Sequence, residues 1–178
     1  MTILSTPRLT LRPNRLEDAD AIARGLDNFK VAGNLSTVPF PYHRADAEMW
    51  LRGQAPHPTP FNTTFAIEYG AAGLVGNIGF HARGDHAEIG YWLAEPYWGM
   101  GLMTEAARAA TDWYFRVTDA ERLTSGVFDF NAASLAIQKK LGFIETGIGT
   151  RICLARAMDL RHIDTELSRA RWQASGKG

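Results

Sequence analysis

Arg8-Leu9-Thr10-Leu11-Arg12 alternates polar and apolar positions, which predicts a half-buried strand that Pro13 ends. Asn14 then stands ahead of an acidic first turn, Glu17-Asp18-Ala19-Asp20, and Ile22, Leu26 and Phe29 follow at helical spacing. Residues 33–43 read as a loop punctuated by Pro39 and Pro41. A short helix is expected over 45–51, carrying Met49 and Trp50, before Pro56, Pro58 and Pro60 break the chain again. From Asn62 the period changes to two. Phe65, Ile67 and Tyr69 mark one strand, residues 74–80 a second and residues 88–94 a third, the last two joined by the turn signal Ala82-Arg83-Gly84-Asp85. Arg83-Gly84-Asp85 also spells an adhesion tripeptide, but its place between two strands makes it a turn.

After Pro96 comes Trp98-Gly99-Met100-Gly101, then a helix over 102–117 with Met103, Ala106, Ala107, Ala110, Trp113, Tyr114 and Val117 as its apolar stripe. Residues 123–128 form a further strand. Asn131 caps a helix that stops at Gly142, with Lys139 and Lys140 near its negative end. Residues 151–155 and 163–167 are expected as closing strands, and 168–178 as a polar, frayed tail. The pattern shows no repeat and no linker, so one mixed α/β domain is expected over 1–178.

Composition narrows the class. Of the 178 residues 46% are hydrophobic and 21% charged, ordinary for a globular protein. Nineteen basic residues balance nineteen acidic ones, so no overall field attracts nucleic acid or an anionic membrane, and neither is expected as a partner. No apolar run approaches the roughly 20 residues that cross a bilayer. No signal peptide is read at the N-terminus, and the single cysteine, Cys153, suits a reducing compartment, so the expected location is the cytoplasm. No cluster has metal-ligand spacing, and no metal is expected.

The candidate chemistry lies in residues 88–105, a strand, a glycine turn and the start of a helix. Glycines let backbone N–H groups converge on a phosphate, and the positive end of the helix dipole adds attraction. Several rivals compete for this turn. A Walker loop needs Gly-Lys-Ser/Thr, which is absent. A dinucleotide fingerprint would match Gly99 and Gly101, but Thr104 stands at the third glycine, and the strands ahead of the turn look antiparallel. A tight turn without a ligand also stays open.

A second motif, Asn131-Ala132-Ala133-Ser134 followed by Lys140-Leu141-Gly142-Phe143, lies one helix and one strand further on. Together the two motifs resemble the GNAT acetyltransferases, in particular the branch that acetylates ribosomal-protein N-termini. Thr6 to Pro13 resembles that branch's opening strand. Pro39-Phe40-Pro41-Tyr42 with Asp46-Ala47-Glu48 resembles its early loop and helix. Gly90-Tyr91-Trp92-Leu93, Tyr97-Trp98-Gly99-Met100-Gly101 and Thr104-Glu105-Ala106 resemble its cofactor core. The resemblance covers about residues 6–167.

The resemblance implies a splayed mixed sheet, mostly antiparallel and flanked by helices, with acetyl-CoA as co-substrate and an amine as acceptor. It implies that the pyrophosphate loop falls on Trp98, Gly99, Met100, Gly101, Leu102, Met103 and Thr104. Trp98 stands where the family has Arg or Gln, and Met103 where it has a small residue. Trp92 and Leu93 are expected to offer backbone groups to the pantetheine amides in the manner of an added strand. Asn131 and Ser134 are expected at the pantetheine arm, and Asn131 also reads as a plain helix cap. Many GNAT enzymes protonate the leaving sulfur from a tyrosine at the position of Gln138, so Ser134 or a water becomes the donor candidate here. Glu88 is the best-placed carboxylate for a base acting through water, although the reading as a structural carboxylate bonded to backbone or arginine stands slightly ahead of it. His81 and His86 read as strand-end residues and Glu105 as part of the helix cap. His162 and Tyr42 are placed at the acceptor site by the resemblance alone. The acceptor itself, a peptide N-terminus or a small amine, is not legible. An acyl-CoA-binding module without catalysis is the second reading, and a homodimer through the C-terminal edge strands is a candidate assembly.

Overall fold

The computed structural model describes residues 2–177. Eight strands form one sheet: β1 (Leu4–Ser5), β2 (Leu9–Pro13), β3 (Thr63–Tyr69), β4 (Leu74–Arg83), β5 (His86–Leu93), β6 (Arg122–Phe128), β7 (Ile144–Cys153) and β8 (Met158–Ser168), in the order β1-β2-β3-β4-β5-β6-β8-β7. Every neighbouring pair is antiparallel except β5 and β6, which run parallel. Parallel neighbours need a crossover, and the helix α4 (Leu102–Val117) supplies it. This is the splayed, mostly antiparallel mixed sheet that the resemblance implied.

Local chemistry explains the elements. The β4–β5 hairpin turns on Gly84-Asp85, with Gly84 at φ 71°. Along α4 the small residues Ala106, Ala107 and Ala110 are buried, so the helix lies close on the sheet, and Tyr114 stacks on Phe80 of β4 with ring centroids 5.1 Å apart. Val117, expected in the stripe, is exposed at the helix end. On the other face, α1 (Ala19–Leu26), α2 (Phe29–Ala32) and α3 (Arg44–Arg52) cover a smaller cluster around Ile22, Leu26, Val31, Tyr42 and Leu51. Phe29 thus lies on a separate short helix, restarted by Asn28, whose side chain accepts the Lys30 N–H at 3.0 Å. The opening strand is locked to α1 by a buried pair, in which Arg12 donates to both oxygens of Asp18 at 2.7 and 2.8 Å and to Glu68 at 2.7 Å.

The C-terminal part departs from the sequence reading. β7 and β8 are longer than expected because β7 is an edge strand with nearly every residue exposed, including Ile148 and Ile152, and so carries no clear two-residue period. The tail is not frayed where it leaves β8. In α6 (Arg169–Trp172), Trp172 is buried and stacks on Phe115 at 5.2 Å. Arg169 donates to the carbonyls of Phe115, Thr118 and Ala120, closing the C-terminal end of α4. Two anchor residues in a polar stretch were enough to dock it. Trp172→Ala is therefore expected to cost about 3–5 kcal/mol, read as a lower urea midpoint; an unchanged midpoint would return this segment to a loose tail.

Candidate active site

The site begins where β5 and β6 separate. They pair only at Ala87↔Leu123 and Glu88↔Thr124 before diverging. Side chains hold this apex. The Tyr114 hydroxyl accepts the Ala87 N–H at 3.0 Å, and Thr124 donates to Ala87 O at 3.2 Å. Thr165 donates to the Gln138 carbonyl at 2.7 Å, Gln138 donates to Ser125 at 3.0 Å, and Ser125 donates to Ile89 O at 2.9 Å. Gln138 is thus a buried link in the frame of the gap. Beyond it opens a cleft of about 1470 Å³, lined from both faces of the sheet.

Which backbone groups face the gap follows from strand alternation. Ala94 donates to Val75 O on β4 at 2.9 Å, so Trp92, two residues back and opposite Asn77, also turns its backbone toward β4. Tyr91 and Leu93 face the gap instead. The expectation for Trp92 is corrected accordingly: its indole packs against Gly25 of α1, and its neighbour Tyr91 presents the free N–H and C=O. At Leu93 only the N–H remains, because the Trp98 indole N–H donates to Leu93 O at 2.6 Å.

The glycine turn follows. Gly99 and Gly101 sit at φ 74° and 75°, a left-handed conformation that suits glycine. The N–H groups of residues 99–104 have no protein acceptor among the described residues, and Glu105 is the first to close, onto Gly101 O at 3.1 Å. Leu102 and Met103 turn their side chains into the core, so the family's small residue is replaced here without filling the turn. Glu105 does not cap its own helix. It accepts from Thr6 at 2.6 Å and from the Arg8 guanidinium at 2.7 Å, while Arg8 also donates to Met100 O at 2.9 Å. This clamp fastens the turn to the start of β2. Burial works to raise the Glu105 pKa, but the bonds from Thr6 and Arg8 outweigh it and hold the carboxyl below its usual range. Arg8 brings to the turn the positive charge that Trp98 does not.

Across the gap, α5 (Ala132–Leu141) is capped by Asn131, whose side chain accepts the Ser134 N–H at 3.1 Å. The Ser134 hydroxyl lies 3.0 Å from the Tyr91 hydroxyl. Burial pushes the Tyr91 pKa up, against the bonds from Ser134 and Gln138. Sequence reasoning found no tyrosine at position 138, yet a phenol reaches the same neighbourhood from β5. The signal was the parity of Ile89, Tyr91 and Leu93, which put all three side chains on the α4 side of the sheet.

On the opposite face stand the charged groups. Glu88 accepts from Arg151 at 3.1 and 3.3 Å and from Arg83 at 3.3 Å. Its burial alone would raise its pKa, but Arg151, with Arg83, brings it below the usual carboxylate range. Arg151 also lies 3.5 Å from Asp164, which bonds His162 Nδ1 at 3.0 Å. Tyr42 is buried, and burial with the nearby Asp46 carboxylate pushes its pKa up to about 12. His81 lines the cleft, whereas His86 bonds Asp85 in the hairpin.

Residues 8–144 match the family model described as an acetyltransferase (GNAT) domain, and the chain belongs to this family of acyl-CoA-dependent acetyltransferases. The uncharacterized N-acetyltransferase p20 of Bacillus licheniformis is 29% identical over 158 residues, covering 83% of this chain and 85% of that one. Mycobacterium smegmatis RimJ in complex with CoA-disulfide superposes with a TM-score of 0.79 at 24% identity, over 99% of this chain and 94% of that one. The ribosomal-protein-S5-alanine acetyltransferase of Vibrio fischeri gives 0.78 at 18% identity, over 97% and 99%. At these identities the structural likeness is one of fold.

The geometry fits a long co-substrate with an anionic end and an amide-bearing arm: free amides converge at the turn, and free strand groups line the gap. Gly101→Val would force a branched residue into the left-handed region, straining the turn by about 1–3 kcal/mol, with the new Cβ in ordinary contact with Arg8 at 3.6 Å. Acetyl-CoA affinity is expected to fall about tenfold or more in a variant that stays folded by circular dichroism. Unchanged affinity by calorimetry would remove the turn from the site.

Proposed function

We propose that this protein transfers the acetyl group of acetyl-CoA to a primary amine, either a protein N-terminus or a small molecule, in the cytoplasm. The observation that carries the proposal is the gap between β5 and β6, with backbone groups of Tyr91 and Leu93 on one wall and the Asn131–Ser134 cap on the other. The backbone N–H groups of Gly99, Met100, Gly101, Leu102, Met103 and Thr104 hold the pyrophosphate, with Arg8 alongside. Trp98 fixes the end of β5 through its bond to Leu93 O. Tyr91 and Leu93 pair with the pantetheine amides, and Asn131 contacts the arm through the half of its carboxamide not used for capping.

Acetyl-CoA supplies an acyl carbon activated by a thiolate leaving group. Tyr91 and Ser134 together return a proton to that sulfur: the phenol, kept protonated by its half-buried position, donates, and the serine hydroxyl supports it. A backbone N–H beside the gap receives the developing oxyanion charge. Glu88, expected above as a base through water, is already engaged by two arginines, and we assign it the fixing of Arg151 on the acceptor side. The absence of a tyrosine at position 138 favoured a module that binds acyl-CoA without turnover. Tyr91 answers that absence, which supports the enzyme. A second copy would dock on the exposed Ile148 and Ile152 of β7.

Release of the CoA thiol against a panel of peptides and small amines tests this reading, and binding of acetyl-CoA without turnover on any of them would favour the silent module. Tyr91→Phe is expected to lower kcat about 10²-fold or more, the usual weight of a proton donor, with acetyl-CoA affinity nearly unchanged. Ser134→Ala should lose less, since the phenol remains. Full activity in Tyr91→Phe would send the proton by another route.

A further inference from the structure

The proton that leaves the acceptor amine needs a basic group on the face opposite Tyr91, and Glu88 is poorly suited. Its carboxylate is already bonded by Arg151 and Arg83, which stabilise the charged form and lower its affinity for a proton. His162 on β8 answers the requirement differently. It is buried, 4% exposed, yet lines the cleft. Its Nδ1 lies 3.0 Å from Asp164 Oδ1. An ionised carboxylate only accepts, so Nδ1 carries the hydrogen and Nε2 keeps its lone pair. Among the described residues Nε2 has no hydrogen-bond partner.

The position of the ring is fixed by Gly126. A Cβ at that residue would stand 2.8 Å from Nε2 and would collide with Cε1, so the imidazole lies directly on the glycine. Gly126 is two residues past Thr124, the last β6 residue paired with β5. Nε2 therefore stands on the β6 wall just where the gap opens. Phe128 braces the ring edge-on, with centroids 5.8 Å apart.

We infer that His162, oriented by Asp164 and seated on Gly126, is the general base that takes the proton from the acceptor amine. The inference rests on the acetyl-transfer reading above. The amine nitrogen forms its bond to the acyl carbon and gives one hydrogen to His162 Nε2. The C–S bond breaks, and the sulfur gains one proton from Tyr91. His162 then releases its proton to solvent while Tyr91 recovers one, so charge and atoms balance.

The groups facing His162 are Asp164 on its own strand, Arg151 on β7 and Glu88 on β5; Gly126 and Phe128 of β6 bring no charge. Burial, then the Arg151 charge, lowers the imidazole pKa against the pull of the two carboxylates, so the neutral base is the form present at pH 7. Activity should accordingly fall as pH drops through a value below about 6.5.

Two measurements test the assignment. Long-range ¹H–¹⁵N spectra of the protein alone should show His162 with hydrogen on Nδ1 and a bare Nε2 at pH 7, titrating below the free-imidazole value. A hydrogen on Nε2 at pH 7 would overturn the inference without reference to activity. The second uses acetyl-CoA with two acceptors, a hexapeptide with a free α-amine and a simple alkylamine. His162→Gln should lower kcat about 10²-fold or more at pH 7, with the KM for acetyl-CoA little changed. For the peptide the loss should persist at pH 9, where an α-amine of pKa about 7.7–8.0 arrives already neutral but still gives up one hydrogen as the amide forms. Asp164→Asn, which keeps the size and loosens the tautomer, should show a smaller loss and a displaced acid limb. Wild-type rates and pH profile in a folded His162→Gln protein would overturn the base and leave acetyl transfer standing. A wild-type protein that acetylates neither acceptor would overturn the transfer reading itself, and this inference with it.

Discussion

The separation of β5 from β6 after two paired residues is the constraint on which the rest of the structure depends. A sheet ordinarily continues its ladder, because a buried backbone group without a partner is costly. Here the ladder is interrupted by side chains that take over its bonds. Tyr114, Thr124 and Ser125 satisfy Ala87 and Ile89 from within the apex, and Gln138 and Thr165 brace Ser125 from behind. On β5, what stays unpaired beyond the apex is therefore confined to Tyr91 and the N–H of Leu93. The fold thus leaves a short stretch of β5 with unmet hydrogen-bonding capacity on the wall of the gap, where an extended amide-bearing arm can meet it.

The frame also separates two kinds of chemistry. The side chains of Ile89, Tyr91 and Leu93 share the α4 side of the sheet, so the phenol reaches Ser134 at the start of α5. Glu88 lies on the other side, with Arg151, Asp164 and His162 gathered around it. A proton donor for the sulfur and a proton acceptor for the amine thus stand on opposite faces of one gap, each buried enough for its pKa to be moved by its surroundings. Burial raises the phenol and lowers the imidazole, so each keeps the protonation state its role requires near neutral pH.

Much of this was legible in the sequence, for physical reasons. Two-residue and 3.6-residue periods are strong where one face is buried, so β3 to β6, α4 and α5 were read closely, and the glycine turn marked the candidate anion site. Parity was harder. Trp92 looked like the partner for the arm because it is large and adjacent to Leu93, and only the bond from Ala94 to Val75 fixes which residues face outward. Exposure hid β7, and two anchor residues in a polar tail, Arg169 and Trp172, gave no periodic signal. Asp164 meets His162 two residues away on one face of β8, but the other groups that sequence reasoning missed, Arg8, Tyr91 and Arg151, act through contacts at long range along the chain: Arg8 meets Glu105, Tyr91 meets Ser134, and Arg151 meets Glu88. No local pattern encodes such pairs.

The central claim is that the free strand groups of Tyr91 and Leu93 receive the co-substrate. Amide hydrogen exchange resolved to single residues of β5 measures it directly. In the protein alone, the N–H groups of Tyr91 and Leu93 should exchange much faster than that of Trp92, which is turned toward Asn77 on β4. Saturating acetyl-CoA should slow Tyr91 and Leu93 strongly and leave Trp92 nearly unchanged. Exchange at Tyr91 and Leu93 that stays fast while acetyl-CoA is bound would contradict the account, because the arm would then be held by something other than the open edge of β5.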